Sequence, residues 1–163
     1  MNFDAFDYFS SLCNKLKRSN DNGYYPCKVT GLGNMEEVIN AFKAQKAYFA
    51  IDDTNDGQTY KSPGGGYFDR KQYIVFVLRK FAYNNMEQQK EYLQECREIY
   101  KSVCKKLIKD KATLQNDMIY LNTDRIPFYE IEGYGIAGCT GLYFIVTVDE
   151  PINLCYDANE WYE

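Results

Sequence analysis

The sequence predicts an α+β fold: a mostly antiparallel or mixed β-sheet packed against one long helix, with one or two further helices near the amino terminus. Apolar residues in Met86–Lys111 recur at alternating three- and four-residue steps, which is typical of an amphipathic helix. Gln72–Ala82 is nearly continuous in apolar residues, as in a central strand covered on both faces. At 163 residues we expect a single domain, residues 1–163, because domains cluster at roughly 100–150 residues.

Two shorter helices are predicted before the core strand. Residues 3–18 carry apolar side chains at helical spacing and basic residues in the last turn, where they complement the helix dipole. A second helix is expected over Asn34–Lys46. Asn34 suits the N-cap position, and Glu37 three residues later completes a capping-box pattern.

Several short strands are predicted around the core strand, because their residues are rich in β-branched and aromatic side chains. Proline cannot donate to a strand ladder, so Pro151 is expected to separate the last two of them. The expected strands are Tyr24–Thr30, a strand beginning at Tyr48, Met118–Leu121, Phe128–Ile131, Leu142–Val148 and Ile152–Tyr156.

Residues 52–68 are polar and predict a long hairpin excursion with a flexible tip. Asp56-Gly57 is a tight-turn signal, and the glycines at 64–66 add mobility. The stretch 52–57 also resembles the first half of a calcium-binding loop. Its twelfth position is Pro63 where a bidentate glutamate is required, so we interpret it as a turn.

The chain contains no histidine, which excludes several classes of enzyme site. Histidine is the usual proton shuttle near neutral pH and the commonest metal ligand. Ser-His-Asp and Cys-His nucleophiles and histidine-containing zinc sites are therefore excluded. The six cysteines form no Cys-x-x-Cys pair, and we interpret them as buried apolar side chains; a single reactive thiol is the alternative. We expect no catalytic residue, no cofactor and no metal site.

Two further sequence patterns are typical of functional sites. Gly133–Gly138 spells the dinucleotide-binding G-x-G-x-x-G, but a β-branched run follows it where the mechanism requires a helix. A sharp turn, a bulge or a mobile loop is the better interpretation. Glu130 and Glu132 share a strand face, and a raised pKa with a general-acid role is the alternative to simple exposure.

The net charge of −4 is unevenly distributed. Seven of the acidic residues and none of the 19 basic ones follow Arg125. This argues against nucleic-acid binding by that end of the chain, because phosphates are repelled there. The acidic start resembles no signal peptide, and no apolar run approaches the roughly 20 residues that span a bilayer. We expect a protein of the cytosol, or of a particle assembled there, without membrane contact.

The long helix segregates its charges. Like charges spaced four residues apart cost about 0.2–0.5 kcal/mol per pair in an isolated helix. One interpretation is that this face meets a neighbouring subunit of opposite pattern; the other is a solvated face with dipole-matched ends. Glutamates occupy the first half, at Glu87, Glu91, Glu95 and Glu98, and lysines the second, including Lys101, Lys105 and Lys109.

The order of elements resembles the tail terminator (tail completion) proteins of long-tailed bacteriophages. The likeness lies in the amino-terminal helix, the polar hairpin, the core strand 72–82, the long helix 86–111 and the closing β-rich segment. The stretch Gly138–Tyr156 is similar to such small phage structural proteins. The resemblance implies a virion protein, assembled in the host cytoplasm, that forms a homo-oligomeric ring joining tail to head. Its implied partners are tail-tube or head-connector proteins.

The resemblance also gives roles to three groups of residues. The charged helix residues would mate around a closed ring. The hairpin would dock on tube or connector, through Asp56, Gly57, Gly64, Gly65, Gly66 and Tyr67. An acidic surface would line a DNA lumen or face a partner, through Asp149, Glu150, Asp157 and Glu160. The alternatives are a small cytosolic adaptor domain that binds a ligand or peptide on a tyrosine-rich sheet without catalysis, and an enzyme of unrecognised type.

Overall fold

A computed structural model describes the backbone of residues 2–162, and the side chains in that range except those of residues 32 and 133–135. This part of the chain forms helices and one mixed sheet, which confirms the α+β class. The helices are α1 (Ala5–Lys15), α2 (Lys17–Asp21), α3 (Leu32–Ala41) and α4 (Met86–Asn116), with a 3-10 turn at Ala158–Glu160. The strands are β1 (Tyr24–Val29), β2 (Ala47–Asp52), β3 (Asp56–Lys61), β4 (Tyr67–Lys80), β5 (Tyr120–Leu121), β6 (Phe128–Ile136) and β7 (Cys139–Ile152).

Strands β4 and β7 form the centre of the sheet. Each has 14 residues, and they pair antiparallel along their whole length. On the outer side of β4, β3 pairs with its first half and β2 with its second half. On the outer side of β7, β6 pairs with its first half and β5 with its second half. Strand β1 adds to β2 in parallel, so the sheet is mixed.

Helices α1 and α4 cover one face of this sheet. The apolar stripe of α4 is buried there, and Phe9 of α1 packs edge-on against Phe144 of β7 at 6.3 Å between ring centroids. Fully burying one such side chain stabilises the fold by about 1.5–3 kcal/mol. The buried residues of the α4 stripe are Cys96, Ile99, Val103 and Leu107.

The second face is covered only in part. Met35 and Ile39 of α3 pack with Phe76 and Leu78 of β4, while Val75 and Val77 face the α1–α4 side. The second half of β4 is therefore buried on both faces, as its apolar run predicts. In the described part of the chain no helix covers the first half of β4 on this second face, and Gln72 there is exposed.

The boundaries of α3 differ from the sequence prediction. The helix begins directly after Gly31, which is the N-cap residue and has a φ of 75°. The Gly31 N–H donates to the side chain of Asp52 at 3.1 Å. Asn34 is therefore not the N-cap but lies in the first turn, where it donates to Glu37 at 3.2 Å. The helix stops at Ala41 instead of residue 46, and the Tyr48 hydroxyl donates to the carbonyl of Phe42 at 2.8 Å.

The carboxy-terminal strands also differ. Met118–Leu121 shrinks to the two residues of β5, and the predicted strand Ile152–Tyr156 is wrong, because β7 runs through Pro151 and ends at Ile152. Strand β5 pairs with β7 only at Val148 and Asp149. Beside Pro151 that flank of β7 has no partner strand among residues 2–162, so a residue without an N–H is tolerated.

Two predicted turns have different outcomes. The hairpin over 52–68 exists as β3 and β4, closed by Ser62 N–H donating to the carbonyl of Gly66 at 2.8 Å. Asp56-Gly57 is not its turn: both begin β3, and a Cβ on Gly57 would lie 2.3 Å from the carbonyl oxygen of Arg70. The G-x-G-x-x-G motif does form a turn, at Ala137-Gly138 between β6 and β7, and a strand follows it.

Candidate functional site: a lysine groove and an acidic segment

The exposed charges of α4 are separated along the helix axis. Glu87 and Glu91 are exposed in the first half, and Lys105 and Lys109 in the second half. At 1.5 Å per residue, Glu87 and Lys109 lie about 33 Å apart along the axis. Glu98 pairs with Lys101 at 3.5 Å within the helix, so this pair is neutralised locally.

Glu95 has a different place from the other predicted interface residues. It faces the sheet, where Nη1 of Arg79 donates to its carboxylate at 2.5 and 2.7 Å. The hydroxyl of Tyr24 donates to the same carboxylate at 2.7 Å. Only 16% of either charged side chain is exposed. Glu95 therefore fastens α4 to β4, and the surface predicted on this helix consists of its other members.

A groove runs between α1 and α4 on their outer side, with a volume of about 330 Å³. Its floor is apolar and includes the side chains of Leu12, Leu16 and Val103. Lysines surround that floor, and we call the whole feature the lysine groove. Its lysines are Lys15, Lys105, Lys106 and Lys109.

Most of the positive charge around this groove is uncompensated. Lys106 is paired with Asp110 at 2.7 Å, and the Tyr8 hydroxyl also donates to Asp110. Among residues 2–162, no carboxylate lies within ion-pair distance of Lys15, Lys105 or Lys109. An apolar floor with a cationic rim is suited to an acidic partner that also carries apolar side chains.

Two residues of the predicted acidic surface accept hydrogen bonds from other residues of the same chain. Asp149 on β7 accepts two hydrogen bonds from Arg70, at 2.9 and 3.0 Å, and one from the hydroxyl of Tyr60 at 2.9 Å. Burial raises the pKa of Asp149, but these hydrogen bonds lower it by more, so the pKa lies below its usual value. Glu150 is buried and accepts from the backbone N–H of Phe3. The acidic surface then rests on Asp157 and Glu160, which are exposed.

Residues 153–162, which we call the acidic segment, leave the sheet after β7. Asp157 caps the 3-10 turn there by accepting from Asn159 N–H at 2.9 Å. The rings of Tyr156 and Trp161 stack across this turn, with centroids 6.4 Å apart. Both rings remain exposed, by 67% and 62%. The segment thus combines a local turn, negative charge and large apolar side chains facing solvent.

The predicted docking hairpin places its residues at two levels. Gly64, Gly65 and Gly66 lie at its tip, and Tyr67 follows them with 42% of its side chain exposed. Asp56 and Gly57 lie at the base, paired with Gln72 and Lys71 of β4. The structure therefore brings the tip residues together but separates them from Asp56 and Gly57 by the length of β3.

The thiols lie mainly in the core. Burial raises the pKa of Cys13, Cys96 and Cys139 to about 12 and that of Cys27 to about 11. The prediction that all six are buried is wrong for two of them: Cys104 is half-buried, and Cys155, in the acidic segment, is exposed. Among the residues that the structure describes, no group of three or more Cys, Asp or Glu side chains is placed to hold a metal ion.

Glu130 does not have the raised pKa considered for a general acid. Nε and Nη2 of Arg97 on α4 donate to its two carboxylate oxygens at 2.5 and 2.9 Å. These hydrogen bonds lower the pKa of Glu130 below its ordinary value. Glu132 is exposed on the same strand.

The open part of the second sheet face is a further candidate surface. Tyr129 and Tyr143 stack there with centroids 5.1 Å apart, next to the half-buried side chains of Ile74 and Ile145. A depression of about 330 Å³ there is lined by Tyr143, Ile74 and Asp52 among others.

Only some residues of the lysine groove could be predicted from the sequence. The segregated lysines of α4 identified Lys105 and Lys109, but not the floor formed by Leu12 and Leu16 or the contribution of Lys15. Periodicity shows that a helix has an apolar face, and it does not show which second helix lies beside it. The one available signal was Lys15 at the end of the apolar stripe of α1.

Comparison with known proteins identified no relative. No family model, no curated protein and no solved structure matches the chain. Among the described residues, no helix combines the length and the apolar character needed to cross a bilayer.

Proposed function

We propose that this protein is a structural subunit of a phage or prophage tail that assembles into a ring at the head–tail junction. The role is that of a tail terminator or head–tail joining protein and involves no catalysis. The proposal builds on the layout of the elements, which resembles that family, and on the distribution of exposed charge. The subunit would be assembled in the host cytoplasm and retained in the virion.

One observation supports assembly most strongly: the exposed charges of opposite sign lie on different parts of the surface. The lysine groove is basic, with Lys106 alone of its four lysines in an ion pair among the described residues, whereas the first half of α4 and the acidic segment expose carboxylates. A basic patch on one copy attracts the acidic patch of another copy, whereas two patches of the same sign repel each other. This arrangement favours a head-to-tail contact between copies. Such a heterologous contact generates a closed ring when its rotation closes.

The β3–β4 hairpin supports docking on a further component. Its glycine-rich tip has no partner strand of its own among the described residues, and Tyr67 is exposed beside it. Exposed aromatic side chains are enriched at protein interfaces. In the proposed ring the hairpin is the element that contacts tail-tube or connector subunits.

Sedimentation velocity and negative-stain electron microscopy of the full chain test ring formation. We expect a discrete closed oligomer with a central opening, weakened by high salt because screening reduces contacts between exposed charges. A chain that stays monomeric at high concentration and low salt would contradict the proposal. Immunogold labelling of phage particles that encode the chain tests the location: label at the head–tail junction supports it, and label confined to other parts of the particle opposes it.

A second candidate is an adaptor that binds a peptide or small ligand without catalysis. The observation in its favour is the open sheet face, where Tyr129 and Tyr143 stack beside Ile74 and Ile145. Thermal-shift screening against peptides and metabolites separates the two candidates. Stabilisation that is lost in Tyr143→Ala, in a monomeric protein, would favour the adaptor.

A further inference from the structure

We propose that the acidic segment of one copy of this chain occupies the lysine groove of a neighbouring copy. This inference rests on the proposed function, since it names the contact that joins one subunit to the next.

The groove is suited to a partner with both apolar and anionic groups. Leu12 and Val103 on its floor are only 7% and 2% exposed, Leu16 is half-buried, and the groove between the two helices is open to solvent. Lys105 and Lys109 follow one another at four-residue spacing on α4, and Lys15 faces them from α1. Like charges at this spacing repel each other, and a bound anionic partner would relieve that repulsion.

The acidic segment supplies both kinds of group. It carries Asp157 and Glu160, and no basic residue follows Arg125. Leu154, Tyr156 and Trp161 each expose more than half of their side chain. Aromatic side chains of this kind are the usual anchors of protein interfaces.

The segment is also organised before binding. The Asp157-capped turn and the stacking of Tyr156 on Trp161 hold the two rings side by side without burying either in the body of the subunit. Ordering a flexible segment costs free energy on association, and a segment with a local turn avoids part of that cost.

The first half of α4 is a poorer occupant of the groove. Glu95 is neutralised by Arg79 and Glu98 by Lys101. The remaining exposed glutamates, Glu87 and Glu91, enclose Lys90, which would meet the groove lysines with like charge. Charge complementarity therefore favours the acidic segment.

Charge reversal in the full chain tests the contact. Lys105→Glu/Lys109→Glu and Asp157→Lys/Glu160→Lys should each weaken self-association about tenfold or more, as rim and core charge reversals do at steered interfaces. An equimolar mixture of the two variants should recover mixed contacts, because each supplies the partner that the other lacks. Lys43→Glu/Lys46→Glu, on the exposed turn before β2, makes the same change in net charge as Lys105→Glu/Lys109→Glu and should leave association unchanged.

The outcomes separate this inference from the proposed function. Rings that persist in both charge-reversed variants overturn the groove contact and leave the ring intact. Dimers or open chains that depend on the groove, and are restored by mixing, support the contact and contradict the ring. A wild-type chain that is monomeric throughout contradicts both. Circular dichroism of each variant checks that the fold is retained, and Trp161→Ala provides a second variant that removes an anchor without changing charge.

Discussion

Nη1 of Arg79 on β4 donates to both carboxylate oxygens of Glu95 on α4, at 2.5 and 2.7 Å. The guanidinium also lies 3.8 Å from the centroid of the Tyr92 ring, and the Tyr24 hydroxyl donates to the same carboxylate. This cluster fastens the first half of the long helix to the second half of the central strand. It also removes one of the helix glutamates from the outer surface.

We predict that Arg79→Met destabilises the fold by about 3 kcal/mol, because it leaves the mostly buried carboxylate of Glu95 without its cation. Chemical denaturation of both proteins measures the difference. Arg97→Met is the matched control: its pair with Glu130 is about one-third exposed, so its loss should cost under about 1 kcal/mol. Equal costs for the two variants would show that burial of the Arg79 pair does not decide its contribution.

We predict that Gly141→Ala destabilises the protein by about 2–3 kcal/mol. Gly141 has φ 148°, and a Cβ there would lie 2.0 Å from the carbonyl oxygen of Val77 on the paired strand. Gly33→Ala in α3 is the control, since a Cβ at that position meets nothing within 4 Å. Alanine there should be neutral or stabilising by up to about 1 kcal/mol, because it favours the helix. Thermal unfolding of the pair gives the comparison; a tolerated alanine at position 141 would contradict the β4–β7 register.

The pair between Arg97 and Glu130 makes stability depend on pH. Hydrogen bonds from Arg97 lower the pKa of Glu130 below its ordinary value of 4.5. The stabilisation is therefore fully present above pH 4.5 and is lost as the pH falls through the lowered value in the folded state. We expect Glu130→Gln to be less stable than wild type at pH 7, with the difference shrinking progressively as the pH falls below 4.5. Urea denaturation across a pH series measures it, and a constant difference would contradict the assignment.

Thiol reactivity should distinguish one cysteine from the others. Cys155 is exposed, while burial raises the pKa of the other five thiols, including the half-buried Cys104. In the native monomer we expect one fast reaction with a disulfide reagent, removed by Cys155→Ser. Since Cys155 lies in the acidic segment, assembly should slow this reaction. Rapid modification of several thiols in the folded chain would contradict the burial of the other residues.

The main elements of the fold could be predicted because their patterns are long. An unbroken apolar run indicates strand β4, and a sustained stripe of apolar residues at helical spacing indicates helix α4. The boundaries that failed depend on tertiary contacts. Asp52 accepts a hydrogen bond from Gly31 at the start of α3. Within residues 2–162 no strand pairs with the outer flank of β7 at Pro151, which lets β7 continue. No local pattern carries that information.

The candidate site was predictable in its charges but not in its geometry. The sequence pointed to Lys105, Lys109, Asp157 and Glu160. It gave no sign that Glu95 faces inward or that Glu150 is buried against the amino-terminal segment. The groove itself exists only because α1 packs beside α4, which is a property of the folded chain.

The central claim is that copies of this chain join through the acidic segment of one and the lysine groove of the next. The most direct measurement is zero-length carbodiimide cross-linking of a mixture of unlabelled and ¹⁵N-labelled full chains, followed by mass spectrometry. We expect mixed-isotope cross-links joining Asp157 or Glu160 to Lys105, Lys109 or Lys15. Cross-links between these residues found only within single chains, or absent from an assembled sample, would contradict the claim.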